Sequence, residues 1–152
     1  MLKQSMIIWL LLLTGACAMN NSWRVAPPVQ TKQLTTLSED KSGIYVYRLN
    51  QRRGVGFVTN IWIDGKCMGM SVGGDMFYKE VDANQKHVVG AGTDGPNELL
   101  TITTKEGKNY FVEHFMQAGM KSLNQFELVE PAVGKSAIGD LAVVERGSCD
   151  RT

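Results

Sequence analysis

An all-β fold, a single antiparallel β-sandwich of about seven strands, is what this 152-residue sequence predicts. Short runs rich in β-branched and aromatic residues alternate with turn residues every eight to twelve positions or so, and beyond the N-terminal segment no stretch keeps a helical period. Sixteen glycines suit a chain with many tight turns. The sandwich is expected over residues 43–146, after a cleaved signal (1–16) and a flexible tether (17–42), and before a tail (147–152).

The N-terminal segment reads as an address. Lys3 precedes an unbroken apolar run, Met6 to Leu13, and Thr14-Gly15-Ala16-Cys17-Ala18 ends it with small residues. As a helix that run would span about 12 Å, far short of a bilayer core of about 30 Å, so it fits an export signal and not a membrane anchor. Two cleavage patterns compete. Thr14-Gly15-Ala16-Cys17 resembles a bacterial lipoprotein signal, in which Cys17 becomes the lipidated N-terminus, although Thr14 stands where Leu is usual. Ala16-Cys17-Ala18 also fits ordinary secretory cleavage before Met19. Lipidation at Cys17 is the preferred expectation. The resemblance then implies outer-membrane sorting, because Ala18 is not the Asp that retains such proteins at the inner membrane.

Residues 18–41 carry Asn20-Asn21-Ser22, Pro27-Pro28 and scattered hydroxyls without apolar periodicity, the composition of a tether. The strands follow. Ile44 to Leu49 has the right content, and Phe57 to Asp64 alternates Phe57, Thr59, Ile61 and Ile63 against Val58, Asn60 and Trp62. Asp64-Gly65 is a two-residue type I′ hairpin signal, with Lys66 to Met68 returning. Phe77–Val81, Lys86–Val89, Leu99–Thr104 and Asn109–Phe115 are further strands, the last two joined by a turn at Glu106-Gly107-Lys108. Phe126–Val129 adds another, Pro131–Ile138 a helical turn opened by its proline, and Leu141–Val144 a final edge strand.

In order along the chain, Ile44-Tyr45-Val46-Tyr47-Arg48, Ile63-Asp64-Gly65-Lys66 with Met68-Gly69, Phe77-Tyr78, Lys86-His87 and Gly107 to Val112 resemble DUF2846-type bacterial lipoproteins, related to PEGA-like small β-sandwich modules. The resemblance spans about residues 43–138. It departs at Ala83-Asn84-Gln85, where the family tends to carry Pro-Gly. It implies the sandwich and an envelope address, and brings no catalytic residues with it.

Charge excludes some function classes. Sixteen Lys and Arg balance 15 Asp and Glu, and loss of the signal removes Lys3 and no acid. A neutral chain offers no global field for nucleic acid or an anionic membrane surface. If Cys17 is acylated or discarded, Cys67 and Cys149 remain. In an oxidising compartment they could form a disulfide, and the alternative is a buried Cys67 thiol with a free Cys149 in the tail.

Motifs of known chemistry fail on context. Gly90-Ala91-Gly92-Thr93-Asp94-Gly95 has dinucleotide-turn spacing, but strand-like sequence follows where a helix is required. Asp94, Asn97 and Glu98 lack the alternating ligand order of a calcium loop. Gly69-Met70-Ser71-Val72-Gly73 has the spacing of a nucleophile elbow without its helix. His87 and His114, with Glu113 and Cys67, make the one conceivable transition-metal set, but neighbours such as Glu113 and His114 face opposite ways in a strand. The two histidines are expected at the core rim or in solvent. Tyr45, Tyr47, Trp62, Phe77, Tyr78, Tyr110, Phe111 and Phe115 are expected to be mostly core. The resulting expectation is a non-catalytic envelope lipoprotein without metal or cofactor. It would be a structural or protein-interaction module held to the membrane by its N-terminal lipid, with an envelope protein as partner and no nucleic acid. The alternative is a small-ligand or envelope-glycan binder.

Overall fold

The computed structural model describes residues 34–50, 57–117, 123–144 and 149. The signal, Cys17 and most of the tether lie outside them.

Nine strands form among the described residues: β1 Lys41–Tyr47, β2 Thr59–Ile63, β3 Lys66–Ser71, β4 Asp75–Asp82, β5 Lys86–Gly92, β6 Glu98–Thr103, β7 Asn109–Gln117, β8 Leu123–Val129 and β9 Ala142–Val143. A short helix, α1 (Pro131–Ala137), and a 3₁₀ turn, Ile138–Asp140, separate β8 from β9. One sheet runs β8-β7-β1-β4-β9 and the other β3-β2-β5-β6. Ile44, Val46, Phe77, Val81 and Val112 from the first meet Ile61, Ile63, Val89, Ala91 and Ile102 from the second in one buried cluster. The two sheets therefore pack face to face as a sandwich.

The pleat explains how each sheet divides its residues. On β1, Ile44 and Val46 enter the core between the sheets, while Tyr45 and Tyr47 join Met76, Phe111 and Ile138 in a second cluster on the outer face. Tyr45 stacks on Phe111 with centroids 5.1 Å apart. Helix α1 closes that face so tightly that a Cβ at Gly134 would stand 2.2 Å from Phe111 Cβ. Buried on both sides, β1 reads as a near-continuous apolar run.

The sandwich matches the expected class, and two of its pairings are parallel: β1 with β7, and β4 with β9. Antiparallel pairing suits strands joined by hairpins, whereas β7 arrives beside β1 only after the chain has crossed to the second sheet and back. That return sets its direction. Local spacing carries no information about such a neighbour. Nine strands stand where about seven were expected, since the short segments at Lys66 and at Leu141–Val144 both form strands: β3 runs on past Met68 to Ser71, and β9 pairs only at Asp75 and Met76.

The turns follow their residues. Asp64 and Gly65 both take positive φ, +53° and +68°, as a type I′ turn requires. In the Ala83-Asn84-Gln85 turn, Asn84 adopts φ +59°, which Asn tolerates. That turn is held by Ala83 N donating to Asp40 O (2.9 Å) and Asn84 N to Thr104 O (3.1 Å). The end of the expected tether belongs to the domain: Leu34 packs on the outer cluster, Thr35 N donates to the Tyr45 hydroxyl at 3.0 Å, and β1 begins at Lys41.

Candidate functional site

One end of the sandwich interior is polar. Strand β1 finishes there, and one step beyond its last register pair, Tyr47 opposite Met76, Arg48 falls opposite Asp75. Alternation points both inward, Arg48 in phase with Ile44 and Val46, Asp75 in phase with Phe77 and Val81. Thr59 and Ser71, paired across β2 and β3, reach the same end, as do His114 of β7 and Asn124 of β8. All six are buried.

Arg48 ties this end together. Its Nη1 donates to Phe57 O at 2.8 Å and to Ser71 O at 3.4 Å, its main-chain N–H donates to Asp75 O (2.9 Å), and its carbonyl accepts from Gly74 N (2.8 Å). The Asp75 carboxylate closes the β3–β4 turn by accepting from Val72 N at 2.9 Å. Burial pushes the guanidinium below its ordinary value, and the charge of Asp75 opposes that shift.

His114 is 1% exposed. Asn124 Oδ1 is an acceptor, so the ring's Nε2 donates to it (3.0 Å), which leaves Nδ1 as a bare lone pair. Neither Nδ1 nor Thr59 Oγ1 has a hydrogen-bond partner among the described residues. Burial pushes the imidazole down to about 4; the bond to Asn124 resists and the Arg48 charge adds to the fall. Between pH 6.5 or so and 4 the unfolded chain holds a proton that the folded chain refuses, so acidification through that window is expected to remove about 3 kcal/mol of stability. Urea midpoints at stepped pH test this. His114→Gln should flatten the loss between about pH 6.5 and 5, and an unchanged slope would refute it.

His87 locks the opposite end of β5. Its Nδ1 lies 2.9 Å from Asp64 Oδ2 and its Nε2 lies 2.8 Å from Asp82 O. Both neighbours are acceptors, so each nitrogen bonds only when it carries a proton. Burial raises the Asp64 carboxyl, but the Val88 amide, then His87, then Lys79 hold it below the ordinary range. One nitrogen faces the β2–β3 hairpin turn and the other the end of β4, so the ring sits between two turns and ties them to β5.

The remaining sequence candidates separate. Expected at the rim or in solvent, both histidines are instead buried, because the parity that carries Val89 and Val112 into the core carries them too. Glu113 lies on the outer face beneath the Tyr47 hydroxyl (3.4 Å), away from His114. Among the described residues no three His, Cys, Asp or Glu side chains gather as a metal site. Gly90 and Gly92 lie within β5, where a Cβ would collide with Pro96 Cβ (2.5 Å) and Gly95 O (1.8 Å), so these glycines serve close packing of the 93–97 loop. Ser71 ends β3 buried, and a turn follows it. Of the aromatics, Phe57 is more than half exposed, while Trp62 is half-buried with Nε1 donating to Gly92 O at 3.3 Å. Cys67 and Cys149 are joined by a disulfide, Cα atoms 6.1 Å apart, and Asn60 Nδ2 donates to Cys149 O at 3.3 Å. Arg48, Asp75 and Asn124 escaped the sequence reading. Their in-phase positions beside core residues were the available signal.

No helix among the described residues is long and apolar enough to cross a membrane. No family model matches the chain, and no solved structure does. A protein of Haemophilus influenzae described as uncharacterized is 32% identical over 136 residues, covering 89% of this chain and 80% of its own. Identity at that level across most of both chains places the chain in the family of the H. influenzae protein.

Proposed function

We propose that the chain is an exported, Cys17-lipidated envelope protein of the DUF2846 type, whose sandwich serves as a non-catalytic interaction module tethered at the outer membrane and facing the periplasm. The observation that carries this reading is the Cys67–Cys149 disulfide. Such bonds persist in oxidising compartments and are rare where thiols are kept reduced, so it agrees with the export signal of residues 1–16. The chemistry of the two buried ends points the same way. Arg48 Nη1 donates to two main-chain carbonyls and His87 sits between two turns, roles that hold a scaffold together.

Lipid at Cys17 would make attachment effectively permanent, since each buried methylene contributes about 0.8 kcal/mol. Membrane-extracted protein should therefore have an intact mass beginning at an acylated Cys17. Cys17→Ala should move the protein from the membrane to the soluble fraction. An unlipidated N-terminus at Met19 would sink the anchor.

A further inference from the structure

Four buried side-chain polar atoms have no hydrogen-bond partner among the described residues: Thr59 Oγ1, Tyr78 Oη, Asn109 Oδ1 and His114 Nδ1. Tyr78 and Asn109 are half-buried residues beside Gly43. Thr59 and His114 differ from them. They are 3% and 1% exposed, and they reach one end of the interior from opposite sheets. Native interiors pair nearly all such atoms, with protein or with ordered water.

The topology brings these two side chains together. His114 is in phase with Val112, and Thr59 with Ile61 and Ile63, so both enter the space between the sheets. In the parallel ladder of β1 and β7, Tyr47 stands opposite Glu113, and one step further on Arg48 falls beside His114. The Arg48 guanidinium meets the second sheet at Thr59. It donates to Phe57 O, two residues before Thr59, and to Ser71 O, whose residue is opposite Thr59 in the β2–β3 ladder. Thr59 and His114 therefore flank one guanidinium.

The chemistry of the pair selects what fits between them. Nε2 carries the proton given to Asn124 Oδ1, so Nδ1 offers a lone pair and calls for a donor. The Thr59 hydroxyl both gives and takes. The charge of Arg48 already disfavours a proton on His114, and it disfavours a metal cation there for the same reason. An anion would face the Nδ1 lone pair, with the Asp75 carboxylate one strand beyond Arg48. A neutral molecule with both donor and acceptor suits both atoms, and their enclosure restricts it to the smallest.

We propose that one water molecule is bound between Thr59 Oγ1 and His114 Nδ1, donating to the imidazole and hydrogen-bonded to the hydroxyl, as a fixed link between the two sheets. A chain of hydrogen bonds then runs from Thr59 on β2 through the water and the imidazole to Asn124 on β8. A donor on Nδ1 also supports the neutral ring. The Phe126 ring, its centroid 5.3 Å from that of His114, adds an apolar wall.

A high-resolution crystal structure of the full chain tests this. One ordered water should lie within hydrogen-bond distance of both atoms, about 2.7–3.2 Å. Thr59→Ser keeps a hydroxyl and should keep the water. Thr59→Val keeps the shape without the hydroxyl and should lose it. In solution the ¹⁵N resonance of His114 Nδ1 should move in Thr59→Val, which removes its donor, and stay in place in Thr59→Ser. The wild-type and Thr59→Ser structures decide the question even if Thr59→Val does not fold. A direct bond between Thr59 and His114, no water between them, or a water that stays on Nδ1 in Thr59→Val would each overturn the proposal.

Discussion

Arg48→Met is expected to destabilise the fold by about 3–5 kcal/mol, read as a lower urea midpoint with unchanged slope. Methionine keeps much of the stem, so the loss reports the guanidinium and not a large void. Without it the carbonyls of Phe57 and Ser71 lose their donor, the second of them in a buried position. Asp75, 6% exposed and directly across the strand pair, would keep its charge without the cation that offsets it. Desolvation of an unmatched carboxylate is the larger part of the cost. Asp75→Asn in the same background should recover part of the loss, and the double variant should fall short of the sum of the singles. Strict additivity would show that the two charges do not interact, and a loss below about 1 kcal/mol would show that the end of β1 does not depend on Arg48.

Most of this architecture was legible residue by residue, and the failures have a common origin. Asp64-Gly65 predicted its turn because only a pair tolerating positive φ closes a two-residue hairpin with the right twist, and both residues take that conformation. Strand positions came from alternation, a property of each segment alone. Partner choice is not, and so the parallel neighbours of β1 and β4 could not be read. The same gap hid the polar end. Arg48 looks like a charge at the end of a strand until β1 is known to be central and buried on both faces; parity with Ile44 and Val46 then sends it inward. His87 and His114 were misplaced for that reason, since their strands alternate as expected but a second sheet covers the face they occupy. Gly134 is a further case. Nothing in Pro131–Ala137 announces that the helix rests on Phe111, and only the packing distance explains the missing side chain.

Cys67→Ser should cost stability on a similar scale. The disulfide closes a separation of 82 residues, for which the chain-entropy model gives about 4–5 kcal/mol at most. Its position adds a local effect. After α1 the chain adds β9 to β4 in the first sheet, Val144 N donating to Met76 O at 2.8 Å, and by Cys149 it has reached β3 of the second. The C-terminal segment thus clasps both sheets along the β3–β4 side, held at one end by two register pairs and at the other by the disulfide and the Asn60 bond to Cys149 O. A strand of two residues has little hold of its own. Cutting the covalent end should therefore release β9 before the sandwich unfolds, and the Val144 amide should lose hydrogen-exchange protection while amides of β1 keep theirs. Reduction of the wild type, Cys149→Ser and the double variant should all match Cys67→Ser, because each opens the same loop. A Cys67→Ser protein with the wild-type midpoint would mean that the unfolded chain is not restrained by the link, and protection lost equally in β1 and at Val144 would mean that the clasp and the core open as one unit.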